Sequence, residues 1–128
     1  MDFNQIADQS RASIEHADLK VLLPIVAQIN PKRIFEIGTH RGYSAETWIS
    51  AFNPDEFITL EIDKKPDDAV EIAYKEAGEN SYHYCWGTDS HENTLIFTKG
   101  SYDFMFIDGD HSYKGVLQDW EDYWENVS

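Results

Sequence analysis

A single cysteine, Cys85, excludes an internal disulfide and fits a reducing compartment. Basic residues are scarce. Ten Lys and Arg stand against 24 Asp and Glu, a formal charge of −14. The deficit is uneven: residues 1–50 carry six acids and five bases, 51–100 carry eleven and four, and 101–128 carry seven acids with only Lys114. Such a surface repels phosphate backbones and anionic lipids, so neither nucleic acid nor a membrane is expected as a direct partner. No apolar run is long enough to span a bilayer. The start, "MDFNQIADQSRAS", lacks the basic residues and apolar h-region of a signal peptide. Repeats, linkers and low-complexity tracts are also missing. A chain of 128 residues with 41% hydrophobic and 14% aromatic content then fits one cytoplasmic domain around one core, with residues 1–16 as an N-terminal extension.

What is present alternates. "ADLKVLLPIVAQI" (17–29) predicts a helix with Leu19, Leu22, Leu23, Val26 and Ile29 as its apolar face. Pro24 has no N–H to donate and is expected in the first turn or at a kink. Asn30-Pro31 ends that helix, and "RIFEIG" (33–38) suits a buried strand. A helix follows with Ala45, Trp48, Ile49 and Phe52 on one face, broken by Asn53-Pro54-Asp55. "FITLEI" (57–62), "YHYCWG" (82–87) and "YDFMFID" (102–108) predict three further strands. Between them, "PDDAVEIAYKEAG" and "SHENTLIFTKG" read as helices. "SYKGVLQDWEDYWENV" reads as a last helix with Val116, Leu117, Trp120, Tyr123, Trp124 and Val127 facing inward.

Strands alternating with helices imply right-handed crossovers and a parallel sheet. Ligands of such sheets sit beyond the C-terminal strand ends. That rim gathers Gly38–Ser44, Glu61–Asp63, Gly87–Ser90 and Asp108–Tyr113. Two motifs are absent from it. The glycine turn lacks G-x-G-x-x-G, with Thr39, His40 and Arg41 standing between Gly38 and Gly42, and it has no Lys-Ser/Thr pair of a P-loop. A nicotinamide cofactor is therefore disfavoured, though NADH binding remains an alternative. Without Cβ atoms, Gly38 and Gly42 let a ligand approach the backbone, and the next helix offers free N–H groups. Glu36 inside the first strand needs a partner, such as a ligand ammonium or a nearby backbone N–H. Glu61, 23 residues after Gly38, can accept both hydroxyls of a ribose. An adenosine group bearing a cation, rather than a pyrophosphate, suits these acids.

"FEIGTHRGYSAETW", "FITLEID" and "YDFMFIDGDHSYKGVLQDW" resemble motif I, the acidic loop and motif IV of class I S-adenosylmethionine-dependent methyltransferases. The likeness runs from about Leu19 to Trp124. It is to the small-molecule O-methyltransferases, of the catechol type and of the macrolide-sugar and cephalosporin-hydroxylase-like set. It implies an α/β Rossmann-like three-layer sandwich with strand order 3-2-1-4, and O-methylation of a small molecule or sugar. By that resemblance Glu36, Gly38 and Gly42 line the methionine part of the cofactor. Ser44 caps the helix or touches the cofactor carboxylate, and Glu61 holds the ribose. Thr88, Asp89 and Ser90 lie by the adenine. Asp108 matches the first ligand of a Mg²⁺-like divalent cation in the metal-dependent members; from the residues alone, Asp110 can reach the same ion, since a hard cation takes two or more oxygen ligands. His111 falls where a general base sits, so Asp108 and His111 are the catalytic candidates.

Plainer roles stay open for each. Gly38 and Gly42 also suit an ordinary turn, and Asp63 is a rival ribose ligand. Asp89 and Ser90 suit a helix N-cap. Gly109 can send Asp110 outward, and His111 can cap the last helix. Tyr43 and Trp48 suit core or lid packing, and "DWEDYWE" suits a solvated acidic face.

The family fold has seven strands, and four are visible here. The fifth normally carries further metal ligands, and the last two help to build the acceptor pocket. Either the sequence is part of a longer enzyme, or a minimal protein forms a homo-oligomer through the open edge of strand four. A cofactor-binding or assembly module without turnover is the corresponding alternative function.

Overall fold

The computed structural model describes residues 2–38, 42–61, 81–86, 102–107, 117–118 and 120–121. Within them lie α1 (Phe3–Gln9), α2 (His16–Ala27), β1 (Arg33–Ile37), α3 (Tyr43–Phe52), β2 (Glu56–Glu61), β3 (Ser81–Trp86) and β4 (Phe104–Ile107). The four strands form one sheet in the order β3-β2-β1-β4, and every pair is parallel. The order and the strand positions agree with those predicted from sequence, with ends shifted by one or two residues.

β1 sits in the middle of the sheet, and Ile34 to Ile37 are all buried. That explains its unbroken apolar run, since a central parallel strand is covered on both faces. Alternation divides its side chains. Ile34 joins Phe57 and Tyr82 in one cluster with Ile6 and Ala7 of α1, Leu19 and Leu23 of α2, and Ala45, Trp48 and Ile49 of α3. Phe35 and Ile37 join Leu60 and Tyr102 on the opposite face. Trp48 anchors the helical side: its ring meets Phe106 at 5.1 Å and Phe104 at 5.5 Å between centroids, both edge-on.

The ends of the strands opposite the glycine turn are tied by polar contacts. The Asp103 carboxylate accepts the backbone N–H groups of Lys32 at 3.0 Å and Arg33 at 3.1 Å. The Lys32 carbonyl accepts from Asp55 and Glu56, and the Tyr82 hydroxyl donates to the Pro54 carbonyl.

Several local expectations change. The N-terminal extension begins with α1, which packs Ile6 and Ala7 into the core. Asp2 and Gln5 form a capping box at its start, each side chain meeting the other's backbone N–H. Pro24 lies in the third turn of α2, not the first, and the helix runs on to Ala27. Its ring nitrogen cannot donate to the Lys20 carbonyl. Ile29 is exposed because it falls past the C-cap Gln28, where the chain leaves the helix. Leu117 and Trp120 are helical as predicted but 41% and 52% exposed, not inward. Among the described residues no strand lies beyond β4 to give them a surface to cover. The helices predicted after β2 and β3 lie outside the described residues. No helix among the described residues is long and apolar enough to cross a membrane.

Candidate functional site

The turn after β1 is built around its glycines. Gly38 has φ 94° and Gly42 φ 87°, both in the left-handed region where a Cβ clashes with the backbone. Both are buried. The Gly38 N–H still belongs to the sheet, donating to the Leu60 carbonyl at 2.8 Å. Gly42 is the N-cap of α3 and brings no side-chain cap. The first bond inside α3 runs from the Glu46 N–H to the Gly42 carbonyl at 2.9 Å. The amides of Tyr43, Ser44 and Ala45 precede it, so they have no carbonyl within the helix to donate to.

Under this turn lies Glu36, a carboxylate with no exposed surface. Its Oε2 accepts from the Ser44 hydroxyl at 2.7 Å and the Trp48 indole N–H at 3.2 Å. Its Oε1 accepts from the Thr59 hydroxyl at 2.8 Å. Register explains the last contact, because Glu36 pairs directly with Thr59 across β1 and β2. Helical spacing explains the first two, because Ser44 and Trp48 are four apart on one face of α3. Burying a carboxylate is costly without such donors. The partners expected from sequence were a backbone N–H or a ligand ammonium. Three side-chain donors stand there, which the sequence did not anticipate, and Trp48 is as much a donor as a core residue. The Ser44 hydroxyl is turned to Glu36 and does not cap the helix.

Glu61 closes β2 and is 6% exposed. Ile37 pairs with Leu60, so Glu61 comes next to Gly38 at the strand ends. Alternation puts Glu61 on the same face as Thr59. Glu36, Gly38, Gly42, Ser44 and Glu61 are the candidate residues that fall within the described part of the rim. Thr88, Asp89 and Ser90 lie outside the described residues, as do Asp108, Asp110 and His111. Among the described residues no group of three His, Cys, Asp or Glu side chains is placed to hold a metal ion.

Sequence reasoning overlooked Thr59 and Trp48 as donors. A signal for Thr59 was available: it is the lone neutral polar residue in the apolar run "FITL" of the strand paired with Glu36. It also overlooked Arg11. This guanidinium binds the Glu46 carboxylate at 2.7 Å and lies 4.3 Å from the ring centre of Tyr43, both in the first turn of α3. No spacing in the sequence links residues 35 positions apart in that way.

Residues 35–128 match the family model described as a methyltransferase domain. The chain belongs to this methyltransferase domain family. Its fold is shared with a Staphylococcus aureus protein described as a caffeoyl-CoA O-methyltransferase, at TM-score 0.68 and 20% identity, over 91% of this chain and 55% of that one. A Podospora anserina methyltransferase, solved with S-adenosylhomocysteine (SAH) bound, matches at TM-score 0.61 and 27% identity, over 100% of this chain and 58% of that one. The chain spans a little over half the length of either structure.

Proposed function

We propose that this domain binds S-adenosylmethionine in the Gly38–Gly42 turn and transfers its methyl group to an oxygen of a small molecule or sugar. The observation that carries this is the pairing of two buried, positive-φ glycines with a buried carboxylate at the end of the next strand. A side chain at Gly38 or Gly42 would fill the cradle. Glu61 beside it is a carboxylate, the group suited to accept from ribose hydroxyls. The amides that open α3 suit the anionic carboxylate of the cofactor. The methyltransferase family match and the SAH complex of the Podospora anserina neighbour support the same choice.

When bound, the cofactor supplies an electrophilic methyl group on a sulfonium. The tasks left to this chain are positioning and activation of the acceptor hydroxyl. Glu36 acts from beneath. It ties Ser44 on α3 to Thr59 on β2, so the two walls of the cradle keep one separation. Asp108 follows directly on β4, which pairs with β1. We assign Asp108 and His111 to activating the hydroxyl. His111 takes the proton, and Asp108 orients the acceptor or holds a divalent cation with Asp110. The adenine is assigned to Thr88, Asp89 and Ser90.

A second possibility is binding without turnover. In that reading the cradle holds the cofactor and no methyl group is passed on. Calorimetric titration with SAH, followed by incubation with S-adenosylmethionine and an acceptor panel, separates the cases. Micromolar SAH binding with SAH released only in the presence of an acceptor supports the enzyme. Binding without release supports the module. No binding by the folded protein removes both.

A further inference from the structure

The segment joining α1 to α2 reaches across to the start of α3. Arg11 Nη2 lies 2.7 Å from Glu46 Oε2, and its guanidinium carbon lies 4.3 Å above the Tyr43 ring. One residue earlier, the Ser10 and Thr47 hydroxyls share a hydrogen bond of 2.8 Å. The segment is itself fastened: His16 Nε2 meets the Ser10 carbonyl at 3.0 Å, and the Ala12 N–H donates to the Ser10 hydroxyl. α1 behind it is rooted in the core by Ile6 and Ala7. Arg11 is thus held at a fixed place, although its side chain is 49% exposed. It also lies outside the segment matched by the family model, residues 35–128.

The two groups it holds flank the cradle. Tyr43 follows Gly42 directly, and Glu46 is the acid in the first turn of α3. A carboxylate there interacts with the positive end of the helix. It therefore opposes any second anion brought to the same helix start. Arg11 neutralises Glu46 and keeps it on the flank of the helix.

We infer that Arg11 is a positioning residue for the cofactor cradle: its contacts with Glu46 and Tyr43 fix the first turn of α3 and keep the Glu46 charge from opposing an anionic ligand group at Gly42. This rests on the turn binding S-adenosylmethionine, and the ligand group meant is the cofactor's own carboxylate.

The test compares SAH affinity of the wild type, Arg11→Ala, and Arg11→Ala with Glu46→Gln, alongside melting temperature and amide exchange. An exposed ion pair and cation–π contact contribute little to global stability, so all three proteins should melt within a few degrees. The expected result is SAH binding weakened about threefold to fivefold in Arg11→Ala, with most of the loss recovered once Glu46 is neutral. A merely structural contact does not predict that recovery. Wild-type affinity in Arg11→Ala, or no recovery in the double variant, overturns the inference. If the wild type itself binds no SAH, the cofactor assignment has failed, and exchange at the Glu46 and Thr47 amides decides on the clasp alone. Faster exchange in Arg11→Ala upholds a fixed first turn, and unchanged exchange removes it.

Discussion

Thr59 donates its hydroxyl to Glu36 across the β1–β2 pairing at 2.8 Å, so the one fully buried carboxylate among the described residues is shared between two strands and a helix. Ser44 and Trp48 donate to it from α3. Three donors on two elements make Glu36 the point at which the glycine turn is fastened to the sheet.

Removing one donor from this set should be costly. Thr59→Val keeps the branched shape but takes the hydroxyl away. About 1–3 kcal/mol of stability should be lost, the scale for leaving a buried acceptor short of a partner. Urea unfolding followed by circular dichroism would show a lower midpoint at unchanged slope. A wild-type midpoint would mean that Ser44 and Trp48 suffice.

At Gly42 the backbone itself is tested. With φ at 87°, a side chain meets its own carbonyl. Gly42→Ala should cost about 1–2 kcal/mol, the usual penalty for an L-residue in the left-handed region. SAH affinity should fall as well, because the new methyl group enters the cradle. Thermal melts and calorimetry on the same preparation read both effects. An alanine variant that melts and binds as the wild type does would argue that the turn simply relaxes.

Glu61 carries the ribose assignment. Glu61→Ala should weaken S-adenosylmethionine binding by about 1–3 kcal/mol, the scale for hydrogen bonds to a charged group. Calorimetry on a variant of unchanged circular dichroism is the appropriate measurement. Unaltered affinity would return the role to Asp63.

Asp108 should behave differently from Glu61. If it serves the acceptor or a cation, Asp108→Asn should bind SAH within about twofold of the wild type while losing methyl transfer by about 100-fold or more. Adding a chelator to the wild type would then separate cation from acceptor, since only a cation-dependent reaction is lost. A large drop in SAH affinity would move Asp108 into the cofactor site.

The sheet was legible in the sequence because its strands are short apolar runs between strong breakers. Asn53-Pro54 and Asn30-Pro31 end helices on sequence chemistry alone, and both asparagines do adopt positive φ, at 42° and 51°. The face of α3 was legible too, because Ala45, Trp48 and Ile49 follow a plain helical period. Other features depended on partners far along the chain. α1 carries a capping-box pattern, but its burial depends on α2 and α3 closing over Ile6 and Ala7. Pro24 is tolerated in a third turn because Leu19, Leu23 and Val26 bury that helix against the core, and tertiary packing outweighs one missing hydrogen bond. Glu36 was recognisable as needing a partner. Its actual donors required the register of two strands and the phase of a helix, which periodicity does not supply.

The Asp103 carboxylate grips two consecutive amides at the start of β1, from a residue just ahead of β4. The parallel strands are thereby pinned at one pole, like a fan held at its rivet. The other pole, where Gly38 comes beside Glu61, is tied as well, by the Gly38 N–H on the Leu60 carbonyl and by Glu36 on Thr59. A guest arriving at these strand tips would meet a mouth already set to its width, fastened at both ends of the strands that frame it.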